Sequence, residues 1–200
     1  MQRRTMFAAG AAAALAAGGG TSLISRPAAA AAAGHTHSAI PDVPVLDQDG
    51  RQYRFYTDLV AGRVVAFNFF FTACGETCPL VTQNLREVQD LLGDRIGRDI
   101  FMYSVSLQPE LETPAILKDY AEQWDVRPGW RFLTGRPDEI ETLRRAIGFY
   151  SPNAEFDRNK DNHIGVVRYG NDRIDRWTGT PGLGRPAWIA KALTQIADIA

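Results

Sequence analysis

Two cysteines, Cys74 and Cys78, are the only thiols in the 200-residue sequence, and three residues separate them. A disulfide across so short a loop removes little entropy from the unfolded chain, so a purely structural bridge would stabilise the fold only weakly. Two sulfurs at this spacing can face one point, which suits a reversible disulfide or the binding of a soft metal ion. We therefore expect redox or metal chemistry at this pair, with a structural disulfide as the alternative.

The cysteines lie between two segments of different periodicity. Residues 64–71 form a strongly apolar run whose β-branched and aromatic residues are typical of a parallel strand buried on both faces. Pro79 and the apolar residues that follow it at helical spacing predict a helix that begins near Cys78. Because the unpaired N–H groups at a helix start stabilise a thiolate, we expect the pKa of Cys78 to be lowered. Glu76, between the cysteines, either tunes the thiol pKa values or is a solvated loop charge.

The rest of the chain predicts an α/β fold. Turn residues Asp49-Gly50 between extended segments indicate a β-hairpin at residues 40–55. The later elements are strands at 100–107 and 131–135, helices at 114–124 and 137–147, a hairpin of strands 164–169 and 173–177 with its turn at 170–172, and a helix at 188–199. This order, with a dithiol at the first strand-to-helix junction, resembles the thioredoxin fold: a central mixed sheet flanked by helices, here with an N-terminal β-hairpin extension. The tryptophans, which we assign to core or hinge packing, are Trp124, Trp130, Trp177 and Trp188.

The N-terminal segment has the composition of an export signal. It carries the pair Arg3-Arg4 and a stretch rich in Ala and Gly. The paired arginines favour the twin-arginine route, and an ordinary basic start of a secretory signal is the alternative. Residues 8–24 are too weakly apolar to predict a spanning helix. We predict a signal and disordered tail at 1–39 and one thioredoxin-like domain at 40–200, exported to the periplasm or the outer face of the cytoplasmic membrane.

The net charge and the motifs reduce the number of functional classes to consider. Without the predicted signal the formal net charge changes from −1 to about −4, because three arginines and no acidic residue precede residue 40. This balance does not favour nucleic acid, and membrane contact is expected only through a partner or an uncleaved signal. Paired carboxylates, a serine nucleophile and a phosphate-binding glycine loop do not stand out, so we do not expect an ordinary enzyme.

One of the three histidines could provide a third ligand for a metal ion bound by the two cysteines. His35 and His37 lie beside the expected cleavage site and offer at most a weak copper site. His163 ends a polar loop at the start of the predicted strand 164–169, and in a thioredoxin-like sheet that strand end can approach the dithiol. A surface histidine without a ligand role is the alternative for His163.

The whole pattern resembles the Sco/SenC family of copper-binding assembly factors for cytochrome c oxidase. The matching motifs are Asp47-Gln48-Asp49-Gly50, residues 69–74 with Cys78-Pro79, residues 105–114, residues 132–135, and Asp161-Asn162-His163. The resemblance implies that Cys74, Cys78 and His163 bind copper, as Cu(I) or Cu(II). Soft sulfur suits Cu(I), and the imidazole nitrogen makes Cu(II) tolerable. The chain departs from the family at Gln108 and Asn162, where the family usually carries aspartate. Gln108 removes a carboxylate near the site, whereas Asn162, which follows Asp161, affects only a carboxylate that would support the ligand histidine.

The resemblance implies a metallochaperone that assists assembly of the copper site of a respiratory cytochrome c oxidase. Its partners would be the copper subunit of the oxidase, a copper donor and a thiol reductant. The alternative is a thiol–disulfide oxidoreductase that reduces the cysteines of a copper protein, with Cys74 as the nucleophile and no need for His163. A third hypothesis is a peroxidase of the peroxiredoxin type. Such an enzyme needs an arginine near its cysteine to polarise the peroxide, and no arginine is adjacent to the cysteines in the sequence.

Overall fold

A mixed sheet of seven strands is formed by the residues that the computed structural model describes, 40–163 and 165–199. In chain order the strands are β1 (Pro44–Asp47), β2 (Gln52–Arg54), β3 (Val64–Phe70), β4 (Ile100–Ser106), β5 (Trp130–Thr134), β6 (Val166–Asn171) and β7 (Arg176–Pro181). Their order across the sheet is β2-β1-β5-β4-β3-β6-β7. The central strands β3, β4 and β5 are parallel neighbours, and the other pairings are antiparallel.

Five α-helices accompany the sheet within the same residues. They are α1 (Thr77–Leu92), α2 (Pro114–Gln123), α3 (Pro137–Ala146), α4 (Ala154–Arg158) and α5 (Pro186–Ala197). Three of them begin with proline, whose fixed φ and missing N–H suit the first helical position. The predicted α/β class, with a mixed sheet, flanking helices and an N-terminal hairpin, is confirmed.

Strand β3 leads directly to the cysteines and is buried along its whole length. The one polar side chain in it, Asn68, accepts a hydrogen bond of 2.7 Å from the hydroxyl of Ser104 on β4. Ser104 in turn accepts one of 2.9 Å from the indole N–H of Trp130 on β5. These bonds give partners to three buried polar side chains at the centre of the sheet, so β3 forms a rigid base for the cysteine loop.

The last hairpin differs from the prediction. Strand β6 continues through Gly170, and a short 3-10 helix, Asp172–Ile174, makes the turn instead. Glycine is needed inside the strand because a Cβ at residue 170 would lie 2.3 Å from the ring of Trp177. The reversal uses Asp175, whose φ of 48° lies in the left-handed region that Asp tolerates.

The tryptophan prediction is right for Trp130, which is buried, and wrong for Trp188, which is 66% exposed. Trp188 lies in the first turn of α5, and the guanidinium of Arg185 covers its ring at 5.0 Å from the centroid. A cation–π contact therefore holds this indole at the surface instead of core packing.

The described residues belong to one compact unit. The predicted signal and the two histidines His35 and His37 lie outside them, so the boundary at residue 39 stays a prediction. No helix in residues 40–163 or 165–199 combines the length and apolarity that a membrane crossing requires.

Candidate metal centre

The two cysteines lie at the junction of β3 and α1, as predicted. Cys74 is in the loop that follows β3, and Cys78 is the second residue of α1. Both are free and buried. The backbone N–H of Cys78 donates a hydrogen bond of 3.3 Å to Sγ of Cys74. The first turn of the helix therefore binds the sulfur of Cys74 rather than that of Cys78.

The environment of Cys74 favours its thiolate. Burial opposes ionisation, but the backbone N–H groups of Cys78, Glu76 and Thr77 and the thiol of Cys78 outweigh burial and lower the pKa of Cys74. Glu76 is exposed and acts here through its backbone N–H. The helix start thus has the effect that the sequence predicted, on the other cysteine.

The predicted lowering of the Cys78 pKa is wrong. Burial raises the pKa of Cys78 to about 12, and the negative charges of Cys74 and Glu112 add to the effect, while a backbone hydrogen bond from Phe71 partly opposes it. Only 2% of Cys78 is exposed, compared with 9% of Cys74, although both belong to the hydrophobic core cluster. A position at a helix start does not lower a thiol pKa when the side chain points away from the free N–H groups.

Cys74 also opens into a surface pocket of about 400 Å³. Its other lining residues are Phe71, Ala73, Gly75, Glu76, Thr77 and Asp161. Asp161 belongs to the short 3-10 helix Lys160–His163, so this helix lies beside the cysteine loop. Cys74 is therefore the sulfur that a ligand or a partner can approach.

His163 is the last residue of that 3-10 helix, three positions before β6, and not at the start of a strand as predicted. It is buried, and its Nε2 lies 2.8 Å from the backbone carbonyl oxygen of Asp157 and 3.0 Å from Nη1 of Arg144. The ring is thus held rigidly, as expected, but by helices α3 and α4.

The structure brings Cys74 and Cys78 together, and it does not join His163 to them. Across residues 40–163 and 165–199, no three His, Cys, Asp or Glu side chains are grouped closely enough to hold a metal ion. The ligand role of His163 therefore stays a prediction. The donor set itself fits copper, because two adjacent free thiols and an imidazole are the groups that soft and borderline metals prefer.

The pair Arg144 and Asp157 was missed by the sequence analysis. Both are buried, and Arg144 binds the Asp157 carboxylate through Nη1 at 3.0 Å and Nη2 at 2.8 Å. Glu141 also binds Arg144, at spacing i, i+3 on α3. That spacing is the one signal in the sequence, and it indicates no more than a surface ion pair.

A carboxylate near the dithiol was also missed. Glu112, 2% exposed, accepts hydrogen bonds from the backbone N–H of Thr72 in the cysteine loop and from the hydroxyl of Ser106 at the end of β4. It lies four residues after Gln108, so a carboxylate remains near the cysteines despite the glutamine. At position 162, the other place where the chain departs from the family, the side-chain amide of Asn162 donates a hydrogen bond of 2.7 Å to the carbonyl oxygen of Phe156.

Comparison with known proteins identifies the family to which the sequence is similar. The SCO1/SenC family model matches residues 37–166. A putative copper-binding protein from Stutzerimonas stutzeri is 29% identical over 110 residues, which cover 55% of this chain and 52% of that protein. The chain thus spans about half the length of this curated relative.

Two solved structures share the fold. ScoI of Bradyrhizobium japonicum, solved with copper bound, superimposes with a TM-score of 0.61 at 22% identity, over 78% of this chain and 99% of that one. The second structure is BsSco, a member of the Sco family of cytochrome c oxidase assembly proteins in which a disulfide switch was identified. It superimposes with a TM-score of 0.60 at 23% identity, over 80% of this chain and 95% of that one. At these identities the likeness concerns the fold, and it confirms the thioredoxin-like architecture.

Proposed function

The chain belongs to the SCO1/SenC family, and from this membership we propose that it is a copper-binding assembly factor of a respiratory cytochrome c oxidase. Copper is its cargo, bound by Cys74, Cys78 and His163 and delivered to the copper subunit of the oxidase. The observation that carries this proposal is the pair of adjacent, free cysteines at the β3–α1 junction. Copper-bound ScoI, which has the same fold, supports the choice of metal.

The two thiols are suited to different parts of a transfer. Cys74 opens into the surface pocket and has the lowered pKa, so it is the thiolate that an incoming ligand can replace. Cys78 is buried and needs the charge of a bound metal to lose its proton. Copper held this way leaves toward the pocket, where a recipient protein exchanges its own ligands for Cys74.

A thiol–disulfide oxidoreductase is the second candidate, and the unequal thiols favour it. The Cys74 thiolate would attack a disulfide of the copper subunit and form a mixed disulfide. The sulfur of Cys78, after loss of its proton, would then attack Cys74 and release the partner as a dithiol. Two electrons pass to the partner, this chain ends as the Cys74–Cys78 disulfide, and a thiol reductant must restore it.

Both functions place the protein outside the cytoplasm, where the copper subunit would be assembled. The Arg3-Arg4 pair and the Ala-rich segment after it support export. The copper donor and the thiol reductant would then be proteins or small molecules of the same compartment.

Complementation separates the two functions. The gene is deleted in its own host, and wild type, Cys74→Ser, Cys78→Ser and His163→Ala are expressed in turn at matched levels. Copper delivery predicts that all three variants lose oxidase activity and that oxidase activity returns partly with added copper. Normal oxidase activity with His163→Ala, together with its loss in both cysteine variants, would reject copper delivery in favour of thiol–disulfide exchange.

A further inference from the structure

Every N–H group of the Arg144 guanidinium has an oxygen acceptor. An arginine has five N–H donors, and in Arg144 all five are used. Nε and one Nη2 hydrogen bind Glu141, at 2.8 Å each, and the other Nη2 hydrogen and one Nη1 hydrogen bind Asp157. The second Nη1 hydrogen binds the backbone carbonyl oxygen of Phe149. A hydrogen bond from Nη1 to His163 Nε2, 3.0 Å away, would therefore have to share a hydrogen with one of these oxygens.

The position of the imidazole proton follows from this count. Nε2 lies 2.8 Å from the carbonyl oxygen of Asp157 and 3.3 Å from Oδ1 of the same residue, and both are acceptors. An unprotonated Nε2 would point its lone pair at two acceptor oxygens, whereas Nε2–H donates to the nearer one. The two oxygens therefore favour the tautomer with the hydrogen on Nε2 and the lone pair on Nδ1.

We propose that Arg144 and Asp157 are positioning residues for the metal ligand: they hold His163 with Nε2–H bound to Asp157 and present Nδ1 as the nitrogen that binds copper. This inference rests on the proposed copper-binding role of His163. A metal-ligating histidine generally donates its other ring N–H to a carboxylate or carbonyl, which fixes the ring and raises the basicity of the ligating nitrogen. Asp157 provides that acceptor here.

The acceptor is itself held in place. The Asp157 carboxylate receives Arg144 at two oxygens and the backbone N–H of Ser151 at 2.8 Å. Arg144 is only 5% exposed and also binds Phe149, so α3, α4 and the segment between them are fixed to one another. After α4 the chain continues to Asp161, which lines the Cys74 pocket. Binding of one ion by His163 and both thiols would therefore require movement of the cysteine loop or of residues 160–163.

Nitrogen NMR of the 15N-labelled, reduced full-length protein tests the tautomer directly. Long-range proton–nitrogen spectra distinguish protonated from unprotonated ring nitrogens, and the His163→Ala spectrum identifies the His163 signals among those of the three histidines. We expect Nε2–H without metal. After one equivalent of Cu(I), which is diamagnetic, we expect Nδ1 to shift while Nε2 keeps its proton. An Nδ1–H tautomer without metal, or loss of the Nε2 proton when copper binds, overturns the proposal.

A variant tests the positioning role separately. Arg144→Lys keeps one positive charge but cannot bind Asp157, Glu141 and Phe149 together, so Cu(I) affinity should fall about 10–100-fold. Arg136→Lys is the matched control, because Arg136 is exposed at the start of α3 and binds Asp138. Unchanged affinity in a folded Arg144→Lys protein overturns the positioning role.

If Arg144→Lys does not fold, the NMR spectra of the wild-type protein test which nitrogen of His163 binds copper. Copper binding that is the same in wild type and His163→Ala rejects the proposed ligand set and this inference with it. Binding that needs His163 but uses Nε2 rejects the positioning alone.

Discussion

The backbone N–H of Cys78 donates to the sulfur of Cys74, while Cys78 itself is only 2% exposed, compared with 9% for Cys74. The same helix start therefore stabilises one thiolate, and burial suppresses the other. A pair of chemically equal sulfurs becomes one accessible, ionisable thiol and one protected thiol. Both the delivery of copper and a disulfide exchange depend on this inequality.

Alkylation should separate the two thiols. The thiolate is the reactive form, so a lowered pKa raises the reactive fraction of Cys74 at neutral pH, and a pKa of about 12 keeps Cys78 protonated. We expect iodoacetamide labelling of Cys74 to reach half its maximal rate at a lower pH than that of an unperturbed thiol, and Cys78 to remain unlabelled at that pH. Mass spectrometry of the Cys74→Ser and Cys78→Ser proteins across pH measures each rate. Faster labelling of Cys78 would contradict the assignment.

Replacement of Glu112 by Gln should destabilise the fold and lower the pKa of Cys78. Glutamine can accept from Thr72 or Ser106 but not from both, so one buried donor loses its partner, at a cost of about 1–3 kcal/mol. The negative charge that opposes ionisation of Cys78 disappears as well. Urea denaturation and the alkylation profile of a Cys74→Ser background measure the two effects.

The matched control is Glu110→Gln, because Glu110 is about half exposed and pairs with Lys160 at 3.5 Å. Its removal should change the free energy of unfolding by less than about 1 kcal/mol. Equal effects of the two substitutions would show that Glu112 has no special role under the cysteine loop.

The ion pair of Asp157 should make stability depend on acid. Hydrogen bonds from Arg144 hold the pKa of Asp157 far below its usual range, despite burial. The stabilisation is therefore complete above the pKa of the unfolded state, about 3.9, and decreases as pH falls below that value toward the folded-state pKa. Between pH 5 and pH 3, wild type should lose more free energy of unfolding than Asp157→Asn. Parallel losses in the two proteins, measured by urea denaturation, would refute this contribution.

Gly182 should tolerate no side chain, because it supports the helix that carries Cys78. A Cβ there would lie 2.9 Å from Val81 in the first part of α1. We expect Gly182→Ala to cost about 1–3 kcal/mol and to weaken copper binding. Gly75→Ala is the control within the cysteine loop, since a Cβ at Gly75 meets nothing within 4 Å. The prediction fails if both proteins unfold at the same urea concentration.

Local patterns in the sequence were enough to predict the main strands and helices. The apolar run before the cysteines became β3, and Pro79 correctly indicated the first turn of α1. The turn at 170–172 was wrong because glycine marked a close approach to Trp177 and not a reversal. Periodicity reports burial and helix starts well, but it does not distinguish the several uses of a glycine.

The chemistry of the site depends on side-chain environments that only the tertiary structure creates. Cys78 has the sequence position of an activated thiol, yet burial raises its pKa. Arg144 and Asp157 are ordinary charges until α3 and α4 bring them onto His163. Glu112 likewise acquires its role only where β4 ends beside the cysteine loop. Such pairs need tertiary structure, whereas the ligand types themselves could be read from the motifs.

The most direct test of the central claim is copper binding by the reduced full-length protein, with His163→Ala and the double variant His35→Ala/His37→Ala in parallel. Competition with a chromophoric Cu(I) chelator gives affinity and stoichiometry, and optical spectra with Cu(II) report thiolate ligation. The account predicts one tight equivalent, and a thiolate-to-copper absorption band that His163→Ala abolishes and the double variant keeps. Weak binding, or a band that is the same in His163→Ala, would contradict the Cys74, Cys78 and His163 site.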